Sequence, residues 1–344
     1  MRFDNITISK GFAIVLMVVV HARFSEYGSA FVNMFHMPLF FFFSGYCFKE
    51  QYINNFGSYA QKRIKGIYFP YVKWGLFFLM LHNVFFHLNI YNDVFGFRGE
   101  VSSLYDYKDF LKRGFDILTS MSSAEQLLGG YWFLHSLFFA SFIFYVAIKI
   151  LKNRWLCASL LLASTFMLLI LDLHIPFFGV GPREFLGAFF MAAGCAYKHF
   201  DLKVENNYWI ILVSIIILII GTHYWQCGML YLTWQKVIPY SISAIAGTLM
   251  VFSISNLILK SKVLSSILIY VGDHTLEILT WHFLSFKVIS LLLIWLQHLP
   301  IEQLAEFPVI EEYAYGGWWM PYSLIGVCLP LLGVMCVSLL KKNN

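Results

Sequence analysis

The sequence has few charged residues. Asp, Glu, Lys and Arg make up only 12% of its 344 residues, far below the roughly 25% that is usual in soluble domains. Hydrophobic residues account for 59% and aromatic residues for 19%. A soluble fold cannot bury that much apolar surface, and apolar stretches of about 20 residues, long enough to span hydrocarbon, recur along the whole chain. We therefore expect an all-α, polytopic membrane protein.

Common catalytic and metal-binding signatures are also missing. The six cysteines form no Cys-x-x-Cys pair and most fall in apolar runs, so neither a disulfide framework nor a zinc site is indicated. The sequence contains no Ser-His-Asp order, Gly-rich phosphate loop or metal-spaced ligand cluster. We expect no bound metal and no bound cofactor.

The basic residues do not form one patch. The net charge is +5, but Lys and Arg are scattered between apolar stretches instead of lining a single face, which argues against a nucleic-acid partner. No internal repeat of the transporter kind and no low-complexity linker divides the chain. The simplest prediction is one membrane domain over residues 1–344.

About ten transmembrane helices are predicted, arranged around a central cavity. The expected ranges are 6–22, 31–48, 67–87, 131–150, 155–171, 184–197, 208–224, 237–259, 275–296 and 320–340. We interpret the first as a membrane span and not as a cleaved signal peptide, since no small-x-small site follows it and a second span begins soon after.

The loops between these spans alternate in charge. Those after the second, fourth, sixth and eighth spans are rich in Lys and Arg, as is the end of the chain, whereas the opposite loops carry few cations. By the positive-inside rule, both termini are cytoplasmic. The long segment 88–126 is expected to form a cap over the outer face.

Ionisable side chains within the predicted spans are the first candidates for function, because each costs on the order of a few kcal/mol or more at bilayer depth. They are Lys10, His21, His36, Lys73, His135, Glu277, His282 and Lys287. Four of them have an alternative interpretation as an internal ion-pair network that fixes helix packing: Lys73, Glu277, His282 and Lys287.

Lys10 and His21 share one face of the first helix, because eleven residues are close to a whole number of turns. They lie roughly 16 Å apart along the axis, a distance comparable with the reach of a pantetheine arm. A neutral imidazole can take a proton from an acceptor hydroxyl as that oxygen attacks a thioester carbonyl. His21 is therefore the candidate general base, against the alternative of a hydrogen-bonded core histidine. His36, just before Pro38, is a second catalytic candidate that could face His21, or else cap its helix.

These residues carry a resemblance to the acyltransferase 3 family of integral-membrane O-acyltransferases, which acetylate or succinylate bacterial surface glycans, lipids and small molecules. The Lys10-x10-His21 pair resembles the family's Arg/Lys-x10-His signature, and the run 35–46 (FHMPLFFFFSGY) resembles its second-helix motif. Softer matches are the basic stretch Lys62-Arg63-Ile64-Lys65 with Pro70-Tyr71, the start of helix four at Tyr131-Trp132-Phe133-Leu134, and the late segment with Gly272, Thr275, Leu276, Ile278 and His282. The basic stretch keeps the family's Arg-x-x-Arg only in part.

The resemblance implies acetyl-CoA or another acyl-CoA, such as succinyl-CoA, as the cytoplasmic donor. The implied acceptor is a hydroxyl of a surface polysaccharide, lipid-linked sugar or related molecule, and the implied location is the inner (cytoplasmic) membrane. His21 would be catalytic, with Lys10 assisting donor placement or charge balance. Lys62, Arg63 and Lys65 at the predicted inner face suit the phosphates of CoA, although they could serve only as topology determinants.

The remaining candidates concern the acceptor and the rival classes of function. Trp132, Arg183, Glu184 and His282 are candidate acceptor-binding residues. Trp132 could instead be an interfacial anchor, and Arg183 and Glu184 could merely neutralise each other. The main rival to an enzyme is a transporter of a glycan or small molecule, because buried His, Lys and Glu could equally relay protons. For the enzyme we expect direct transfer without an acyl-enzyme, and a homodimer is compatible with the sequence.

Overall fold

Helices account for the regular secondary structure of residues 4–97 and 101–342, the part of the chain that this computed structural model describes, apart from one isolated bridge between Ile175 and Val180. The prediction of an all-α fold is confirmed. The α-helices are α1 Asp4–His21, α2 Glu26–Asn33, α3 His36–Tyr46, α4 Phe56–Arg63, α5 Phe69–His87, α6 Tyr107–Ser120, α7 Trp132–Leu151, α8 Arg154–Leu171, α9 Pro182–His199, α10 Trp209–Tyr224, α11 Val237–Ile258, α12 Lys262–Asp273, α13 Thr275–Gln297, α14 Glu311–Tyr313 and α15 Trp319–Lys342.

Six helical stretches in the described residues are long and apolar enough to cross a membrane. They are Asp4–His21, Gln126–Leu151, Arg154–Leu171, Trp234–Ile258, Thr275–Gln297 and Glu311–Lys341. The helix Trp209–Tyr224 is equally apolar in character but shorter. α5 and α9 cover the third and sixth predicted spans. A multi-pass membrane protein follows from these helices.

The prediction of one continuous helix over 31–48 is wrong. α2 ends at Asn33 and α3 begins at His36, because Pro38 has no N–H to donate to the carbonyl one turn earlier and its ring crowds that carbonyl. The break leaves Pro38 in the first turn of α3, where proline is tolerated. Four short helices lie wholly outside the predicted ranges. They are α4, α6 within the segment 88–126, α12 and α14.

α6 begins at a capping box that the sequence does contain. The backbone N–H of Asp109 donates to Asp106 Oδ1 at 2.9 Å, and the N–H of Asp106 donates to Asp109 Oδ2 at 3.1 Å. Each carboxylate thereby satisfies one of the unpaired donors of the helix start. The segment 88–126 is therefore partly helical.

Prolines also explain two π-helical segments. Ile64–Tyr68 joins α4 to α5, with the N–H of Phe69 donating to the carbonyl of Ile64. Ala314–Trp318 joins α14 to α15, with the N–H of Trp319 donating to the carbonyl of Ala314, but it is kinked at Gly317, whose φ is +103°. Pro70 and Pro321 follow shortly after, and each lacks the N–H that would continue an α-helical ladder. The inserted wider turn lets the helix continue past the proline.

The chain divides into two compact units, each built from three separate segments. The first contains Met1–Ala13, Ala30–Pro70 and Phe133–Gly272, and the second contains Ile14–Ser29, Tyr71–Trp132 and Asp273–Asn344. In the first unit α9 packs against both α3 and α8, and α10 packs against α11. In the second unit α13 packs against α15 and against the 3₁₀ segment Gln126–Tyr131.

Glycines allow α3 and α9 to approach closely. A Cβ atom added at Gly45 would lie 1.8 Å from the backbone oxygen of Met191, and one at Gly194 would lie 2.0 Å from the backbone oxygen of Phe42. Small residues at such contacts let helix backbones pack together in membranes, where the lipid offers no hydrophobic driving force.

Substitution of Gly45 tests this contact. We expect Gly45→Ala to destabilise the protein by about 1–3 kcal/mol, because the added methyl group meets backbone and not a flexible side chain. Thermal unfolding in detergent, followed by intrinsic fluorescence, measures the loss. Gly333→Ala is the matched control, since nothing lies within 4 Å of a Cβ at that position. Equal stability of the two variants would contradict the close packing of α3 on α9.

Candidate active site

Two histidines from distant parts of the sequence form a hydrogen bond in the second unit. His21 is the last residue of α1 and His282 lies in α13. The Nδ1 atom of His21 is 2.9 Å from the Nε2 atom of His282. His282 is fully buried, and His21 is half-buried. In the described part of the chain no group of three or more His, Cys, Asp or Glu side chains could hold a metal ion.

The partners of His282 define where its proton sits. Its Nδ1 atom lies 2.9 Å from the carbonyl oxygen of Ile278 and 3.0 Å from that of Leu279, and because a carbonyl oxygen only accepts, Nδ1 carries the hydrogen. Full burial without a carboxylate disfavours a charged ring, so Nε2 is unprotonated and accepts from the Nδ1–H of His21. In neutral His21 the lone pair is then on Nε2, the nitrogen that can act as a base.

The pair is surrounded by aromatic rings and backbone. The ring of Phe283 lies 4.8 Å from the ring of His21 and 3.9 Å from that of His282, measured between centroids. A Cβ atom at Gly130 would lie 2.9 Å from Leu279 and 4.0 Å from the Cε1 atom of His282. The segment Gln126–Tyr131 therefore passes close to α13 at Gly130, where an added methyl group would press on the end of the Leu279 side chain. The aromatic contacts and the hydrogen bond together fix the orientation of both imidazoles.

The other two catalytic candidates lie in the first unit. Lys10 is half-buried on α1, which is helical without a break from Asp4 to His21, as the eleven-residue spacing assumed. His36 is buried, and its Nδ1–H donates to the carbonyl oxygen of Val32 at 2.9 Å. That contact joins the end of α2 to the start of α3. It corresponds to the capping alternative for His36.

The basic candidates end α4 and enter the π-helical segment. The guanidinium carbon of Arg63 lies 4.9 Å from the ring centroid of Tyr59, and the Nζ atom of Lys62 lies 5.7 Å from that of Tyr52. Lys65 is exposed. Cation–π contacts of this kind hold a cationic side chain in place without neutralising it.

Arg183 and Glu184 lie at the start of α9 and contact each other. The Nε–H of Arg183 donates to Glu184 Oε1 at 2.8 Å, and the same oxygen accepts from the hydroxyl of Ser136 at 2.7 Å. Glu184 Oε2 accepts from the N–H of Gly181 at 2.8 Å, and His135 Nδ1 lies 3.7 Å from Oε1. The carboxylate is buried and fully engaged, which favours the neutralising alternative for this pair. The fourth acceptor candidate, Trp132, is half-buried at the start of α7.

The described residues contain no internal ion-pair network among Lys73, Glu277, His282 and Lys287. Lys73 is exposed, with Nζ 4.4 Å from the ring centroid of Trp74. The Nζ of buried Lys287 donates to the backbone oxygen of Glu306 at 2.7 Å. His282 binds His21, and Glu277 forms no ion pair in the described residues. Outside the spans, partial burial raises the pKa of the Glu306 carboxyl, although the N–H of Glu311 and the charge of Lys287 oppose the shift.

Sequence reasoning missed a second buried cluster. The Nδ1 atom of His82, on α5, lies 3.1 and 3.3 Å from the two carboxylate oxygens of Glu125, and Nε2 donates to the carbonyl oxygen of Ser103 at 3.0 Å. Both side chains are at most 1% exposed. The ring of Tyr105 stacks on His82 with centroids 3.4 Å apart. The available signal was a histidine inside the third predicted span and a carboxylate in the segment that follows it.

The protons of this cluster form a shared pair. Nε2 of His82 must carry a hydrogen to bind a carbonyl oxygen, and a hydrogen lies between Nδ1 and the carboxylate whichever atom it belongs to. The cluster is therefore an ion pair or its neutral equivalent. It ties the segment before the Gln126–Tyr131 turn to α5.

One family comparison covers nearly the whole chain. The acyltransferase 3 family model, described as an acyltransferase domain, matches residues 3–339. The chain belongs to the acyltransferase 3 family and is an enzyme that transfers acyl groups. The resemblance seen in the sequence is confirmed. Comparison with curated proteins and with solved structures gives no match.

Removal of Glu125 tests the buried pair. We expect Glu125→Ala to destabilise the protein by about 3–5 kcal/mol, because it leaves His82 buried beside an empty carboxylate position. Thermal unfolding in detergent measures this loss, with Glu312→Ala as control, since Glu312 is exposed and forms no ion pair in the described residues. A loss no larger than that of the control would contradict the ion pair.

Proposed function

We propose that the protein is a ten-span O-acyltransferase of the inner membrane. It transfers an acetyl or succinyl group from cytoplasmic acyl-CoA to a hydroxyl of a surface polysaccharide, a lipid-linked sugar or a related acceptor. The observation that carries the proposal is the His21–His282 hydrogen bond, since it gives the candidate base of the family signature a defined tautomer. Both termini are cytoplasmic in this proposal.

In the proposed reaction His21 is the general base. Its Nε2 takes the proton of the acceptor hydroxyl while the oxygen attacks the thioester carbonyl. The tetrahedral intermediate collapses with cleavage of the carbon–sulfur bond, and the proton on Nε2 passes to the departing thiolate of CoA. The products are the ester and free CoA, and His21 returns to its starting state without an acyl-enzyme.

His282 acts as a positioning residue in this scheme. It accepts the Nδ1–H of His21 and so holds the lone pair of His21 on the other nitrogen. When His21 gains a proton on Nε2, the resulting charge is shared along the hydrogen bond to His282. The role resembles that of a carboxylate behind a catalytic histidine, but a neutral partner performs it.

The donor is proposed to approach from the side of Lys10. Lys10 precedes His21 by roughly 16 Å along α1, which matches an extended pantetheine arm, and it assists donor placement or charge balance. Lys62, Arg63 and Lys65 bind the phosphates of CoA through charge-assisted hydrogen bonds. Lys62 and Arg63 each lie over a tyrosine ring. These contacts support the proposal that the cations are held at fixed positions.

Other candidate residues take more limited roles. For His36 we propose a positioning role at the break between α2 and α3, because its Nδ1–H is engaged by a backbone carbonyl. Trp132 and Arg183 are the acceptor-binding candidates that retain partly exposed side chains, whereas Glu184 orients Arg183. Membership of an acyltransferase family supports the enzyme over the transporter that the sequence alone left open.

Substitution of the histidine pair tests the mechanism. We expect His21→Ala to lower transfer from labelled acetyl-CoA to a glycan acceptor by about 10²-fold or more, the usual contribution of a general base. His282→Leu should lower kcat by less, and His282→Gln should retain more activity than His282→Leu because a glutamine oxygen can still accept the Nδ1–H of His21. His223→Ala, at an exposed position in α10, is the control. Wild-type transfer rates in His21→Ala would remove His21 from its role.

The donor site is tested separately. We expect the double variant Lys62→Gln, Lys65→Gln to raise the KM for acyl-CoA, more strongly at low ionic strength, while the KM for the acceptor stays unchanged. Lys149→Gln is the matched control, because Lys149 is also an exposed lysine beside a tyrosine ring, with Nζ 5.8 Å from the centroid of Tyr145. If the control raises the donor KM equally, the three basic residues are topology determinants and not a phosphate site.

A further inference from the structure

The loop of residues 300–310 is held by hydrogen bonds from buried side chains of three other segments. The backbone oxygen of Glu302 accepts from the amide of Asn92 at 2.8 Å, and that of Ala305 accepts from the amide of Gln126 at 3.2 Å. The backbone oxygen of Glu306 accepts from Nζ of Lys287 at 2.7 Å. Each of the three donor side chains is at least 95% buried. They are Asn92, Gln126 and Lys287.

The end of the loop is fastened as well. The N–H of Ile310 donates to the hydroxyl of Tyr322 at 3.4 Å, and that hydroxyl is 2.9 Å from the hydroxyl of Ser290 on α13. The N–H of Glu311 donates to Glu306 Oε1 at 2.8 Å. A mobile loop would leave its backbone groups to water. Here five separate hydrogen bonds hold one short stretch in a single conformation.

This loop carries an aromatic ring to the histidine pair. The ring of Phe307 lies 4.6 Å from that of Phe283, and Phe283 in turn lies 4.8 Å from the ring of His21. On the other side, a Cβ atom at Gly129 would lie only 3.1 Å from Phe307. Phe307 is therefore held between the 3₁₀ segment and α13. From Lys287 to His21 the contacts are continuous, through Glu306–Phe307 and Phe283.

Lys287 forms no ion pair in the described residues, although the Glu306 carboxyl feels its charge, and its burial is costly unless the amine has a specific use. No carboxylate of the described residues lies within ion-pair distance of its Nζ. Ionisable side chains at membrane depth are generally kept for function. The short contact to the backbone oxygen of Glu306 is the use that the geometry shows, since a lysine Nζ donates a hydrogen bond whether or not the amine is charged.

We propose that the loop 300–310 is a fixed wall of the catalytic site and that Lys287 is a positioning residue, which holds His21 in place through Phe307 and Phe283. This inference rests on the proposed role of His21 as the base. Misplacement of a catalytic group by about 1 Å can cost on the order of 10²-fold in rate. The wall therefore acts on kcat, while acyl-CoA binding is independent of it.

The kinetic test compares Lys287→Met, Lys287→Gln, Phe307→Ala and the double variant Lys287→Met, Phe307→Ala. We expect kcat to fall on the order of 10-fold or more in Lys287→Met and in Phe307→Ala, with an unchanged KM for acetyl-CoA. Since both act along one chain of contacts, the double variant should lose little more than the worse single variant. Lys287→Gln, which keeps a hydrogen-bond donor, should recover much of the activity.

Ser285→Ala is the matched control for these variants. Ser285 is buried on the same helix, and its hydroxyl donates to its own helix, at the carbonyl oxygen of Trp281. It should leave kcat near the wild-type value and show no coupling to Phe307→Ala. Multiplicative losses in the Lys287→Met, Phe307→Ala variant, or a loss confined to the KM for acetyl-CoA, would overturn the inference.

A readout that needs no turnover separates this inference from the proposed function. Leu304 is buried in the wall, so the cysteine introduced by Leu304→Cys should resist maleimide in an otherwise wild-type chain. With Lys287→Met added, that cysteine should react faster, and with Lys287→Gln it should stay protected. Peptide mass spectrometry distinguishes maleimide labelling of this cysteine from labelling of the exposed Cys328 and Cys336. Unchanged protection in Lys287→Met would reject the wall even if transfer is observed, whereas loss of protection without any transfer would reject only the proposed function.

Discussion

A hydrogen bond from a buried imidazole to a backbone carbonyl recurs throughout this structure, and the arrangement of its polar side chains depends on it. Where water is excluded, each imidazole N–H must find a protein acceptor. Four histidines that are at most 7% exposed use one ring nitrogen in this way. They are His36 to Val32, His82 to Ser103, His135 to Phe178, and His282 to Ile278 and Leu279. The carbonyl fixes the tautomer, and what faces the second nitrogen then decides the chemistry.

That second partner differs among these histidines. His82 and His135 face the carboxylates of Glu125 and Glu184. In each of these rings the nitrogen that does not bind a carbonyl is therefore directed at a carboxylate. His282 instead directs its second nitrogen at another imidazole, that of His21. His21, at the end of α1 and half-buried, donates its Nδ1–H to His282, and the lone pair of the neutral ring then lies on Nε2.

Much of this organisation was predictable, and the part that was not has a common cause. Hydropathy predicts most of the spans, and the eleven-residue spacing correctly places Lys10 and His21 on one helix, because both depend only on local periodicity. The His21–His282 contact joins residues 261 positions apart, and sequence spacing fixes no rotation of one helix against another. For the same reason Lys73 and Lys287 were grouped, although one is exposed and the other bonds a loop carbonyl. Pro38 indicates the break between α2 and α3, whereas the hydropathy of 31–48 alone predicts one helix.

Polar side chains outside the long helices form hydrogen bonds with backbone groups that water would satisfy in a soluble enzyme. Gln126 is an example. Its side-chain oxygen accepts from the N–H of Phe97 at 2.9 Å, and its amide nitrogen donates to the carbonyl of Ala305. One side chain thus binds backbone groups of two separate loops. It is also the first residue of the 3₁₀ segment that passes His282 at Gly130. One buried amide thus links the position of two loops to the segment that packs on the histidine pair. Rigid connections of this kind restrain the His21 ring at the end of α1, as its proposed role of general base requires.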